Sequence, residues 1–248
     1  MQNQIGVCSW SLQPETAEAL CEKLHAVGTT KVQLALDPLR LGDWKLGRTL
    51  DVFRTHDIEI RSGMMVTHGE DYSTLETIKV TGGVRPDEHW RKNHKAAGKI
   101  ARVAQQLELD LVSFHAGFLP EEPGDPEREV MIDRLREIID LFADCGVRTA
   151  FETGQETAPV LLEVLDELNR TSVGVNFDPA NMILYDKGDP IEALSLLAPR
   201  VFQIHVKDAN RTQEPGTWGA EVRSGTGEVD WDAFFDVVRE RKLDVDIA

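Results

Sequence analysis

The chain has 248 residues and carries 43 acidic against 27 basic side chains, a formal charge of −16. That length fits one α/β domain over residues 1–248, the size of a (β/α)₈ barrel at roughly 250 residues. The acidic balance argues against nucleic acid as a partner unless a local basic channel gathers it.

Three cysteines, Cys8, Cys21 and Cys145, are odd in number and lack CxxC spacing, so they read as reduced thiols. The opening MQNQIGVCSW has no basic segment leading into an apolar stretch, and no run approaches about 18 apolar residues. A soluble cytoplasmic protein without a membrane span is expected.

Apolar β-branched runs alternate with amphipathic segments along the whole chain. Strand one is predicted over Ile5–Ser9, followed by a helix from about Pro14 to Val27 that Gly28 stops. Strand two covers Lys31–Leu36, with a helix near Asp43–His56, and strand three covers Glu59–Val66. A long connection, Thr67–Arg85, precedes a helix from about Pro86 to Leu107. Strand four, Asp110–His115, leads to a helix from Pro126 to Cys145, ended by Gly146. Strand five ends at Glu152, with a helix to about Asn169; strand six ends at Asp178, with a helix near Pro190–Leu197. Strand seven ends at His205, and a second long loop, Ala209–Glu228, leads to a helix over Asp230–Arg241 with Asp230 as N-cap. Leu243–Ala248 reads as the opening of an eighth strand. The pattern predicts a parallel (β/α)₈ TIM barrel from which the C-terminal end of strand eight and a last helix are missing.

Glu152, Asp178 and His205 stand 26 and 27 residues apart, each closing a short apolar run (VRTAFE, VGVNFD, VFQIH). In a parallel barrel the strand ends gather at one mouth, so the three should converge on a metal site. Taken singly, each has another use. Glu152 could form a salt bridge, since an unpaired buried charge is very costly. Asp178 could cap the turn in NFDPAN, and His205 could be a hydrogen-bonded core histidine. Together, two oxygen donors and an imidazole suit Mn²⁺, Mg²⁺, Co²⁺ or Zn²⁺, with positions left open for substrate. Such an ion can hold a hydroxy-carbonyl compound and stabilise an enediolate once a nearby carboxylate removes a proton.

With its FE at strand five, NFDPAN at strand six, IHVKDANR at strand seven and the GTGEVDW segment, the chain resembles the xylose isomerase-like TIM barrels. That superfamily holds sugar (phosphate) isomerases and epimerases, inosose dehydratases and endonuclease IV-type enzymes, and the likeness spans essentially the whole chain. In its ketose epimerases the matching positions imply Glu152 as ligand and acid/base, with Asp178 and His205 as ligands. The resemblance also implies Arg211, six residues after the histidine, as a substrate-binding arginine. A second catalytic glutamate normally ends strand eight; these 248 residues stop just before its place. Asn181 stands where relatives commonly have histidine; it can hydrogen-bond a sugar hydroxyl but is a poor zinc ligand.

The remaining candidates lie around the same mouth. His115 in SFHAG could be a further ligand, a substrate contact or a rim residue, and His68 in VTHGED is a weaker candidate of the same kind. Lys207 could bind a substrate oxygen or phosphate, with Asp208 orienting Arg211, or the two could form a barrel-mouth ion pair. Gly225-Thr226-Gly227 could receive a phosphate or serve as a lid hinge. Trp10 could stack on a sugar face or pack the upper core.

The reading is a divalent-metal-dependent isomerase or epimerase of a small sugar, keto-sugar or sugar phosphate. The alternatives are an inosose-dehydratase-like lyase, an endonuclease IV-like nuclease and a non-catalytic sugar-binding barrel. Dimers or tetramers are usual in the resembling family, which leaves a homo-oligomer open.

Overall fold

The computed structural model describes residues 5–214 and 216–248; Met1–Gln4 of the opening stretch and position 215 of the second long loop lie outside them. Seven strands follow one another in chain order: β1 (Val7–Cys8), β2 (Lys31–Ala35), β3 (Glu59–Met64), β4 (Leu111–Phe114), β5 (Arg148–Glu152), β6 (Val173–Phe177) and β7 (Val201–Ile204). Each pairs in parallel with the next. A short hairpin follows, β8 (Asp208–Asn210) antiparallel to β9 (Ala220–Val222), and β10 (Asp246–Ile247) then pairs in parallel with β7. Ile247 also bridges Ile5, and the Gly6 N–H donates to the Ile247 carbonyl at 2.8 Å. The eighth barrel strand is therefore present, two residues long, and it joins the last strand to the first.

Ten helices cover the outside of the sheet among the described residues: α1 (Ala17–Ala26), α2 (Asp37–Leu41), α3 (Leu46–Thr55), α4 (Leu75–Thr81), α5 (Asp87–Gln106), α6 (Pro126–Ala143), α7 (Ala158–Leu168), α8 (Pro179–Leu184), α9 (Pro190–Leu197) and α10 (Trp231–Glu240). Their buried stripes follow helical spacing. Ala96, Ala97, Ile100, Ala101 and Ala104 of α5 are all buried, and their small side chains let α5 lie close to its neighbours. Strand residues facing this layer are large and apolar. Phe114 and Phe151 meet edge to face at 5.4 Å, and Phe177 meets Phe234 of α10 at 6.0 Å. Each such fully buried ring contributes about 1.5–3 kcal/mol. Alternate strand residues point the other way, and several of these are polar: Gln33, Ser113 and Asn176 are buried and meet one another or His205 across the interior.

Several boundaries depart from the sequence expectations, each for a local reason. Strand one stops at Cys8 because Ser9 turns into a short 3₁₀ segment, its Oγ accepting from the Ala35 N–H at 2.9 Å. The first helix starts at Ala17, with Thr16 as its cap, and not at Pro14. Ahead of the third helix, α2 begins around Pro38 and ends at Gly42, whose φ of 88° suits glycine. The connection Thr67–Arg85 contains α4, nucleated by a reciprocal Thr74–Thr77 capping box. Asp178 caps the unexpected α8. Trp44 is buried in the core, while Trp90 and Trp231 pack against it partly exposed.

The expected loop Ala209–Glu228 carries the β8–β9 hairpin and folds around Asp208. Asp208 Oδ2 accepts from the Gly225 and Gly227 amides, both at 2.9 Å, and from Trp231 Nε1 at 3.1 Å. Oδ1 accepts from the Ala209 and Val229 amides at 2.9 and 3.2 Å. A Cβ on Gly227 would stand 2.2 Å from Asp208 Oδ1, so only glycine fits there. This corrects two expectations. The glycine amides proposed for a phosphate already hold a carboxylate of the chain itself, and Asp208 orients this loop and not Arg211.

Burial pushes the Asp208 carboxyl up, but Trp231 and the Gly227, Val229 and Gly225 amides outweigh it and hold the group below its usual range. A carboxyl depressed in the folded state stabilises the fold above its ordinary pKa near 4, and that contribution is lost as pH falls through the lowered value. Asp208→Ala should lower unfolding free energy by about 2–4 kcal/mol at pH 7 and open residues 209–228 to protease. In urea titrations, wild type and Asp208→Asn should converge as the solution is acidified below about pH 4. A constant gap down to pH 2 would contradict this account of the loop.

Candidate metal centre

The pleat explains how three polar side chains reach one point. Phe151 faces outward onto Phe114, so its neighbour Glu152 faces inward at the end of β5. Phe177 faces α10, and Asp178 follows it where the chain turns into α8. His205 comes directly after Ile204, the buried last residue of β7. All three are buried, and a ligand atom from each lies within 4.8 Å of those from the other two. His205 Nδ1 stands 3.5 Å from Glu152 Oε1 and 3.6 Å from Asp178 Oδ2.

The surrounding groups leave a well-defined opening. Asn181 Nδ2 donates to Glu152 Oε1 at 2.9 Å, and the Asn181 amide N–H donates to Asp178 Oδ1 at 3.0 Å. Glu152 Oε2 and Asp178 Oδ2 are buried and accept no aligned hydrogen bond among the described residues. Such oxygens cost free energy unless a cation meets them. One nitrogen approaches each: His115 Nε2 lies 3.7 Å from Glu152 Oε2, and the Lys207 ammonium Nζ lies 3.1 Å from Asp178 Oδ2. Two unsatisfied carboxylate oxygens beside an imidazole nitrogen make a donor set that fits a divalent ion.

The charges pull strongly on one another. Burial pushes Glu152 up, yet His115, His205 and Lys207 outweigh it and hold the carboxyl well below its usual range. Burial pushes His205 down, but Cys8, Glu152 and Asp178 carry it well above the ordinary histidine value. Lys207 is likewise raised against its burial by Asp178, Glu152 and Glu221. For Glu152 and Lys207, attraction between opposite charges exceeds the desolvation cost.

These residues sit at one wall of a cavity of about 1030 Å³. Glu152, Asp178, Asn181, His205, Lys207, His115 and Trp10 all line it, with the Trp10 ring 6.1 Å from that of His205. The Asn181 oxygen also accepts from Lys207 Nζ at 2.6 Å. The amide thus ties Glu152 to Lys207 and keeps its second N–H for a substrate hydroxyl.

Arg211 and His68 are not among the lining residues. Arg211 is half exposed and holds Glu228 at 3.0 Å and Asp186 at 3.6 Å. His68 is fixed through its backbone, whose N–H donates to Asn93 Oδ1 at 2.7 Å, and burial and Arg40 lower its ring pKa.

The sequence reading missed the aromatic part of the cavity lining. Tyr72, Tyr185 and Trp218 belong to it, with Tyr185 and Trp218 in edge-to-face contact at 5.0 Å. Burial pushes the Tyr185 phenol up to about 12, so it remains a donor at neutral pH. These residues lie in loops and short helices where no periodicity marks them. Gln33 was missed as well: it is a single polar residue between Val32 and Leu34 of β2, and no motif marks it.

The family model for xylose isomerase-like TIM barrels matches residues 21–245. A solved structure of a xylose isomerase domain protein from Planctomyces limnophilus is 28% identical, with a TM-score of 0.87, covering 99% of this chain and 90% of that one. The probable 3-DHS dehydratase AsbF of Bacillus anthracis (19% identity, TM-score 0.73, 98% and 91% coverage) shares the fold. So does D-allulose 3-epimerase of Methylomonas sp. (17% identity, TM-score 0.72, 98% and 82% coverage). Among curated proteins, the 3-oxo-isoapionate decarboxylase of Pectobacterium atrosepticum is 25% identical over 124 residues, 48% of this chain and 45% of that protein. The matched stretches span less than half the length of the curated relatives. By its family match and its closed ring of eight parallel strands, the chain belongs to the xylose isomerase-like TIM barrel family.

Proposed function

We propose that this protein is a divalent-metal-dependent enzyme that isomerises or epimerises a small sugar, keto-sugar or sugar phosphate. The observation that carries the reading is the pair of buried carboxylate oxygens, Glu152 Oε2 and Asp178 Oδ2, left without hydrogen bonds beside His205 Nδ1 in a large cavity. Glu152, Asp178 and His205 would hold the ion, and when bound it would supply Lewis acidity to neighbouring oxygens of a hydroxy-carbonyl substrate.

The chain's own groups have separable roles in this scheme. Glu152, oriented by the Asn181 hydrogen bond to Oε1, would besides holding the ion take a proton from the carbon next to the substrate carbonyl and return it. His115, 3.7 Å from that oxygen, stabilises the carboxylate form and faces the substrate from β4's end. Lys207 offsets the Asp178 charge. Trp10 and the Tyr72, Tyr185 and Trp218 wall offer apolar faces to a carbon skeleton and exclude water around it. Likeness in fold to an allulose epimerase supports the same reading.

A lyase acting on an acidic substrate is the second reading, and Arg223 favours it. Arg223 lines the cavity and has no carboxylate partner among the described residues, while Lys207, the other cation of the lining, is engaged by Asp178. An unpaired guanidinium at the mouth of a chain with charge −16 suits a substrate carboxylate or phosphate. The likeness to a dehydratase and a decarboxylase points the same way. A nuclease is disfavoured by the net charge and by Asn181.

Calorimetric titration with Mn²⁺ should give one site per chain. Asp178→Asn and His205→Asn should each weaken it by more than the roughly 10–100-fold that losing an outer hydrogen-bond partner costs. Binding unchanged in both variants would remove the metal from this site. Incubating the Mn²⁺ protein with keto-sugars and keto-sugar acids in D₂O should place deuterium at the carbon next to the carbonyl. Label without loss of water supports the isomerase or epimerase, and loss of water supports the lyase. Glu152→Gln should slow exchange by about 10²–10⁴-fold. Metal and sugar binding without any exchange would make the protein a binding barrel.

A further inference from the structure

We infer that Gln33, on β2 at the far side of the barrel interior, is a positioning residue that sets the tautomer of His205 and so aims Nδ1 at the two carboxylates. The inference rests on the reading of Glu152, Asp178 and His205 as a metal centre. A histidine can offer a lone pair from Nδ1 only when its proton sits on Nε2, and that choice is made by whatever Nε2 touches. Here Nε2 stands 2.7 Å from Gln33 Oε1, its shortest polar contact. The opposite tautomer would set the Nε2 lone pair against that oxygen.

The orientation of Gln33 is itself fixed from two sides. Its Nε2 donates to Ser113 Oγ at 2.8 Å, and Ser113 points its hydroxyl at the Gly63 carbonyl, 3.5 Å away. The Cys8 thiol reaches Gln33 Oε1 at 3.5 Å, a second donor to the same atom. Gln33 and Ser113 are essentially inaccessible to solvent, so water cannot substitute for either contact.

Asn176 is the apparent exception, because its Nδ2 lies 3.1 Å from His205 Nε2 while its Oδ1 has no partner. Turning that amide over removes the clash at Nε2 and adds a second acceptor for its proton, with the NH₂ then standing where Oδ1 does now. The gaps of 3.5 and 3.6 Å from Nδ1 to the carboxylates are wide enough to be spanned through a cation, which would take the place of an Nδ1 proton.

A competing arrangement has the Gln33 amide reversed, its NH₂ donating to Nε2 and the His205 proton on Nδ1. Two substitutions separate the cases. Gln33→Met fills the same space with no acceptor and should weaken Mn²⁺ binding by about 10–100-fold while leaving the metal-free melting temperature close to wild type. Gln33→Glu can still accept from Nε2–H, so its affinity should lie nearer to wild type than to Gln33→Met; under the reversed arrangement it should be the worse of the two. Where Gln33→Met fails to fold, Ser113→Ala, which frees the amide to rotate, should show a smaller loss of affinity.

Long-range ¹H–¹⁵N NMR on the Zn²⁺-loaded protein reads the tautomer directly, with a protonated Nε2 expected. A bare Nε2, or Mn²⁺ affinity in Gln33→Met equal to wild type, overturns the inference while the metal centre stands. A wild-type protein that binds neither ion overturns the centre and, with it, this role of Gln33.

Discussion

Two buried carboxylates on adjacent strands govern the upper half of this molecule. Glu152 and Asp178 are both almost fully inaccessible, and removing each charge from water costs several kcal/mol even after relaxation. The fold answers with nitrogen groups placed close by: His205 between them, the Lys207 ammonium against Asp178 and His115 against Glu152. The direction of the Glu152 shift decides which effect wins. Burial alone would neutralise the group, yet it stays ionised far below its usual range, so attraction dominates. A site held in that balance is charged and incompletely satisfied, which is a condition under which a divalent ion gains by entering.

Asp208 makes the contrast plain, because it is as inaccessible to solvent as Asp178 and serves a different end. Five donors converge on its two oxygens, four from the backbone and one from Trp231. No lone pair is left for a ligand, so its charge folds a loop. Asp178 has one oxygen capping α8 and the other facing only Lys207 and His205, and Glu152 has one held by Asn181 and the other without an aligned hydrogen bond among the described residues. Burial alone does not separate a structural carboxylate from a reactive one. Counting donors to each oxygen does.

The barrel and the positions of Glu152, Asp178 and His205 could be read from the sequence because both depend on short-range periodicity. An apolar run that ends in a polar residue locates a strand end, and parallel order turns three such ends into neighbours. The departures lie where contacts distant in sequence decide. Asn181 is three residues after Asp178, and only the fold shows that its amide is engaged by Glu152, 29 residues back, and Lys207, 26 residues ahead. Arg211 follows His205 closely, yet the hairpin that begins at Asp208 carries it outward to Glu228 and Asp186. The short helices α2, α4 and α8 arise from caps and a proline, which are too local for hydrophobic spacing to register.

Gln33 connects these points. Apolar residues flank it on β2, and in a sequence it looks like a weak place in a core strand. In the fold, Val32 and Leu34 face the helices and contribute stability, while Gln33 turns inward to Ser113 and His205. A leucine at that position would take away the partner of Ser113 Oγ and His205 Nε2 and leave His205 free to place its proton on either nitrogen. The two faces of one strand thus meet different requirements: the outer face holds the barrel together, and the inner face fixes one proton on one ring.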